Sequence, residues 1–199
     1  MQNLFELSSE EKERWLKDLA DLMGVWEDWR LLASFRDQLL PLAPQVARNT
    51  WSRLAASPFT QGVAPALEAL EAIAQIYFNE PTLDATYLER RAQAGSAYLQ
   101  AGFGPAQTMS VGSVWIDEWN EWNRAFAQLF SQDPDLQARL NHAMALVAFF
   151  NAAVIMAQYA YEAAKEQRRR EEELLQKFLR ATGISRELYE QMAKAAGEV

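Results

Sequence analysis

Between Pro134 and Gly183 the chain carries neither a glycine nor a proline. Asp133-Pro134 opens this stretch as a capping aspartate followed by a proline at the first helical position, where its missing N–H is not needed. Nothing stops a helix before Gly183. The sequence therefore predicts one helix of about fifty residues, ~70 Å long at ~1.5 Å per residue. A compact domain of 199 residues is only ~35 Å across. One end of this helix must leave the globule, and the heavily charged run from Glu166 to Arg180 marks which end.

The rest of the chain also reads as helix. Ser8-Ser9-Glu10-Glu11 is a capping box that opens a helix running to Met23, where Gly24 interrupts it. A second helix is predicted from about Val25 to Leu40, stopped by Pro41, and a third from about Pro44 to Ala56. A fourth, from about Gly62 to Phe78, sets Leu67, Leu70, Ile73, Ala74 and Tyr77 on one face at three-and-four spacing. Asp84 is placed to cap a fifth helix reaching Ala101, and a sixth runs from Pro105 to about Ser131. Ser185 caps a short final helix to about Ala196. With no strand pattern anywhere, the predicted class is all-α. Residues 1–165 are expected to form the domain, and 166–199 the projecting helix and its short successor.

Composition narrows the function classes. The net charge of −8 argues against a broad nucleic-acid surface, which needs a basic footprint. Cysteine is absent, which removes disulfides, thiolate metal sites and thioether-linked cofactors, and suits a reducing cytoplasm. The N-terminal residues lack the basic and apolar regions of a signal peptide. The apolar window from Ala143 to Ala164 is broken by Asn151 and Gln158, so no membrane span is expected. His142 is the single histidine and reads as a surface residue. With one histidine, no glycine-rich phosphate loop and no nucleophile elbow, there is little material for catalysis or a metal site, and a non-enzymatic protein is expected. Trp115, Trp119, Trp122, Phe126 and Leu129 follow the helical period of the sixth helix. They fit either a core face or a dimer interface, where tryptophan is enriched. Asp117, Glu118 and Glu121 read as solvated charge on the opposite faces. The run from Gln167 to Glu173 fits a solvated helix with Arg–Glu pairs, or a signalling stalk.

One block is more specific. Asp84, Tyr87, Arg90, Arg91, Gly95, Tyr98, Gly102 and Pro105 resemble, spacing for spacing, the proximal region of bacterial sensor globins, the globin-coupled sensors. In that family the position of Tyr98 is occupied by the haem-ligating histidine. The segment from Phe149 to Tyr159 resembles the last helix of the family, with Asn151 in place of an acid and Tyr159 kept. The segment from Asn49 to Leu54 resembles the distal segment, with Trp51 where haem-bearing members have a tyrosine. Thr108 replaces an aromatic that is frequent after the proline. The resemblance spans about residues 8–175, and the departures fall on the positions that face haem.

This resemblance implies a globin-like sensor fold with an extended last helix and no haem, similar to the N-terminal domains of stressosome scaffold proteins. Such a domain dimerises through its last two long helices, passes a signal along the last one to a partner protein, and leaves a cavity open to a small apolar ligand such as a fatty acid. Trp51, Ile73, Tyr77, Tyr98 and Trp115 are the expected lining. Two alternatives stay open: a haem gas sensor with Tyr98 as axial phenolate ligand, and a globin that binds a tetrapyrrole or bilin without covalent attachment.

Overall fold

The computed structural model describes residues 3–56, 67, 77–79, 82–100 and 118–197, with the side chains of Tyr98 and Ala196 outside that description. The fold is all-α. Helix α1 (Ser9–Met23) begins where Ser8 and Glu11 close the predicted capping box: the Glu11 amide donates to Ser8 Oγ and the Ser8 amide to the Glu11 carboxylate. It ends at Gly24, whose φ of 66° is left-handed backbone that glycine adopts without a Cβ clash. The second predicted helix is divided. Helix α2 covers Trp26–Ser34 and the single turn α3 covers Arg36–Leu39, with Phe35 between them at φ −102°, ψ 10°. Two forces account for the break. The Ser34 hydroxyl donates to the Leu31 carbonyl at 2.7 Å, competing for the helix's own acceptors. The Phe35 ring packs edge-on to Phe130 at 5.2 Å, a contact that a straight continuation has no reason to make.

Helix α4 spans Ala43–Ala56 and α5 spans Ala85–Gln100. Asp84 caps α5 by accepting from the Tyr87 amide at 2.7 Å. Residues 118–129 form α6, and the long helix α7 runs Pro134–Thr182, 49 residues from its Asp133 cap to the left-handed Gly183. The short α8 (Arg186–Ala196) is capped by Ser185. Of the predicted fourth helix, Leu67, Tyr77 and Phe78 are described, and each is helical.

Helix α7 organises the domain. Its buried stripe of Leu140, Ala143, Met144, Val147, Phe150, Val154 and Ile155 receives α5 along one side and α2 on another. Trp29 of α2 is fully buried and meets Phe150 and Tyr87 edge-on at 5.5 and 6.1 Å. A large aromatic buried in this way contributes about 1.5–3 kcal/mol through area alone. Lys12 of α1 reaches Glu89 of α5 at 2.5 Å, which compensates an ammonium stem that is almost wholly covered.

Where α5 and α7 cross, Gly95 lets the backbones touch. A Cβ at that position would lie 2.3 Å from the Ile155 carbonyl oxygen and 3.0 Å from the Tyr159 amide nitrogen. The two amides that interrupt the apolar run of α7 are both inside the fold. Asn151 accepts from the Tyr87 hydroxyl at 2.7 Å, and Gln158 accepts from the Leu4 amide at 3.0 Å. By length and composition alone α7 is apolar enough to cross a membrane, with a window of mean hydropathy 1.7 of which 44% is buried here.

Beyond the globule the chain changes character. Residues 167–174 are exposed throughout, and Arg169 and Arg170 pair with Glu166 while Arg169 also pairs with Glu173. Helix α8 folds back on this end: Tyr189 meets Phe178 edge-on at 6.1 Å, and Arg186 bridges both oxygens of Glu172 at 2.7 and 3.2 Å.

Candidate functional site

The period of α6 brings its stripe inward. Trp122 and Phe126 are fully buried, and Trp119 donates its indole N–H to the Asn141 carbonyl at 3.3 Å. This stripe therefore serves the core of the molecule, with Leu129 at its exposed end. Phe78 stacks edge-on to Trp122 at 4.7 Å, and Tyr77 sits beside Phe78.

The two described acids of this helix are a correction to the sequence reading. Glu118 and Glu121 are 4% and 5% exposed, buried and not solvated. At about 100° per residue, positions 118 and 122 differ by only ~40° around the helix, so Glu118 shares the tryptophan face. Asp117 lies outside the described residues.

The two carboxyls have different surroundings. Glu121 accepts from Asn49 Nδ2 at 2.9 Å and is ion-paired with Arg53 from α4 and Arg124 from its own helix. Glu118 has no cation against it among the described residues. Burial pushes its carboxyl up to about 8, opposed by the neighbouring Trp122 indole. At neutral pH it is held mostly as the uncharged acid. Thr50 of α4 is fully buried and its hydroxyl has no hydrogen-bond partner, while the Trp122 indole N–H lies beside the Glu118 carboxyl. α4 and α6 are thus joined through a compensated Glu121, while Glu118 is buried with the Trp122 indole beside it and no cation among the described residues.

A second polar contact joins α5 to α7. The Tyr87 hydroxyl donates to Asn151 Oδ1, and Asn151 Nδ2 donates to the Val147 carbonyl at 2.8 Å. Burial raises the Tyr87 phenol above its ordinary value, so it remains a proton donor. Arg91 lies over the Tyr87 ring at 6.0 Å.

Of the five expected lining residues, Tyr77 is 1% exposed and lies in the core, while Trp51 is 41% exposed, at its edge. Ile73 and Trp115 fall outside the described residues, as does the side chain of Tyr98, whose backbone is helical within α5. His142 is exposed and borders an open cleft of about 370 Å³ between α2 and the start of α7, with Glu27, Asp28, Leu31, Ala138 and Arg139. Among the described residues no group of three or more histidine, aspartate or glutamate side chains is arranged to hold a metal ion. Glu118, Glu121 and Thr50 were missed by sequence reasoning. The signal was present, because a glutamate four residues before a tryptophan of the stripe must share its face. No protein-family model and no characterised protein matches this chain.

Proposed function

We propose that this protein is a haem-free, globin-type sensor or interaction domain that pairs with a second copy of itself and accepts a small apolar molecule. The observation that carries the reading is the behaviour of the motif from Asp84 to Gly95. Its described residues act as scaffold: Asp84 caps α5, Tyr87 reaches Asn151, and Gly95 permits the close crossing with α7. None of these tasks involves a prosthetic group. The two positions that face haem in the resembling family hold Tyr98 and Trp51 in place of the histidine and tyrosine of haem-bearing members. Loss of the iron-facing pair with the scaffold retained fits a globin-like framework put to another use.

Two features support the interaction role. On the outer side of α7, Phe149 and Met156 are 66% and 37% exposed, one heptad apart, with half-buried alanines between them. This leaves an apolar strip along the helix that also extends beyond the globule. The charged continuation of α7, closed by α8, offers a lever through which a shift in packing is passed to a partner.

Titration with hemin tests the reading directly. The expected result is no stoichiometric Soret band. A sharp band that moves in Tyr98→Phe establishes the haem sensor instead, and visible absorbance that appears with added bilin establishes the tetrapyrrole binder. Light scattering at micromolar concentration is expected to give a dimer, and Phe149→Glu a monomer.

A further inference from the structure

The cleft between α2 and the start of α7 has acids on one wall and bases on the other. Glu27, Asp28 and Leu31 line it from α2, and Ala138, Arg139 and His142 from α7. Glu27 with Leu31, and Ala138 with His142, are four residues apart, so each wall is one face of its helix. The volume of about 370 Å³ falls within the range of small-molecule sites, roughly 300–1,000 Å³. No hydrogen bond or ion pair joins the side chains of Glu27, Asp28, Arg139 and His142 to one another or to any other described residue. Opposite charges therefore look across one space without closing it. Helix dipoles account for only half of this arrangement. Glu27 and Asp28 stand in the first turn of α2, where acids are favoured. Arg139 and His142 lie beyond the first turn of α7, where that effect has died away and gives no reason for them.

We propose that this cleft binds a small zwitterion, an α-amino acid with an apolar side chain, independently of any apolar molecule taken up between the inner helices. The charges decide the class. A simple anion drawn to Arg139 would face Glu27 and Asp28, and a simple cation drawn to those carboxylates would face Arg139. A molecule that carries both signs satisfies both walls. Its ammonium group has three N–H donors for Glu27 and Asp28, and its carboxylate accepts the paired N–H groups of Arg139. His142 adds a ring N–H in either protonation state. Leu31 and Ala138 offer apolar contact to the side chain. Glu27, Arg139 and His142 are exposed to water and salt, so binding is weak, in roughly the millimolar range.

NMR titration of the full chain with leucine, leucinamide, 4-methylpentanoate and glycine tests the assignment. Leucinamide lacks the carboxylate, 4-methylpentanoate the ammonium group, and glycine the apolar side chain. Leucine is expected to move the amide signals of residues 27–31 and 138–142. Leucinamide and 4-methylpentanoate should each bind about fivefold more weakly, the effect of one exposed ion pair, and glycine also more weakly. Arg139→Gln should weaken leucine about fivefold and leave leucinamide unchanged. The double variant Glu27→Gln/Asp28→Asn should weaken leucine as much and leave 4-methylpentanoate unchanged. Leucine binding no tighter than any one of the other three compounds, or binding indifferent to both sets of substitutions, overturns the assignment. So does a titration in which residues 27–31 and 138–142 do not respond. A crystal structure grown in leucine, with Arg139 paired to Glu27 or Asp28 across a closed and empty cleft, overturns it as well.

Discussion

Two polar seams cross the helical core, and they are finished to different degrees. Between α5 and α7, the Tyr87 hydroxyl meets Asn151 and the Asn151 amide meets a backbone carbonyl. Between α4 and α6, Glu121 is surrounded by donors, while Glu118 has the Trp122 indole beside it but no cation among the described residues. The contrast separates compensated from uncompensated polarity. A closed network holds two helices in one register and gains nothing from outside. A buried carboxyl without a cation is destabilising once it ionises.

The largest expected effect breaks the closed seam at its tightest point. Gly95→Ala adds a methyl group that must lie 2.3 Å from the Ile155 carbonyl oxygen, a backbone atom with little room to yield. Alanine has the better helix propensity by about 1 kcal/mol, but the overlap forces α5 and α7 apart. The net result should be a loss of about 3 kcal/mol in urea unfolding. An unchanged midpoint would mean that the two helices do not cross at this residue.

The open seam is tested by pH. Glu118 is raised from 4.5 to about 8 in the folded protein. Between those values the unfolded chain has released the proton and the folded one has kept it, so the unfolded state binds fewer protons. Stability must therefore fall as pH rises from about 5 to 8, and flatten above that. Glu118→Gln should remove this slope and be more stable than the parent at pH 8 by about 2 kcal/mol. Equal slopes in parent and variant would show that the carboxyl is solvated after all.

Smaller effects sharpen the comparison. Tyr87→Phe leaves Asn151 Oδ1 buried without its donor and should cost about 1–2 kcal/mol. The double variant Tyr87→Phe/Asn151→Leu is expected to recover part of this, because removing both partners is milder than removing one. Arg186→Ala breaks a bridge to Glu172 in which both side chains are about half exposed. Exposed pairs contribute little, so the global midpoint should stay where it is, while proteolysis after residue 183 becomes faster.

Much of the architecture was legible from local signals. The capping box at Ser8, the Asp84 and Ser185 caps, the Asp133-Pro134 start and the uninterrupted run to Gly183 each produced the expected element. The division at Phe35 was not legible, because it depends on a ring of Phe130 nearly a hundred positions away. The candidate site was read less well. Tyr77 is buried as expected, whereas Trp51 stands at the edge, and the acids of α6 were assigned to the wrong face although their spacing placed Glu118 within reach of Trp122.

The sequence by itself determined where the capped helices α1, α5, α7 and α8 begin, and that α7 runs on to Gly183, because caps, breakers and periodicity act within about four residues along the chain. It determined also that Gly95 carries no side chain. Only the tertiary structure decided that this absence lets α7 touch α5, that Asn151 and Gln158 serve buried partners, and that Glu121 is compensated while Glu118 is not. Protonation, burial and hydrogen-bond satisfaction depend on what packs across from a residue, and that neighbour comes from a distant part of the chain.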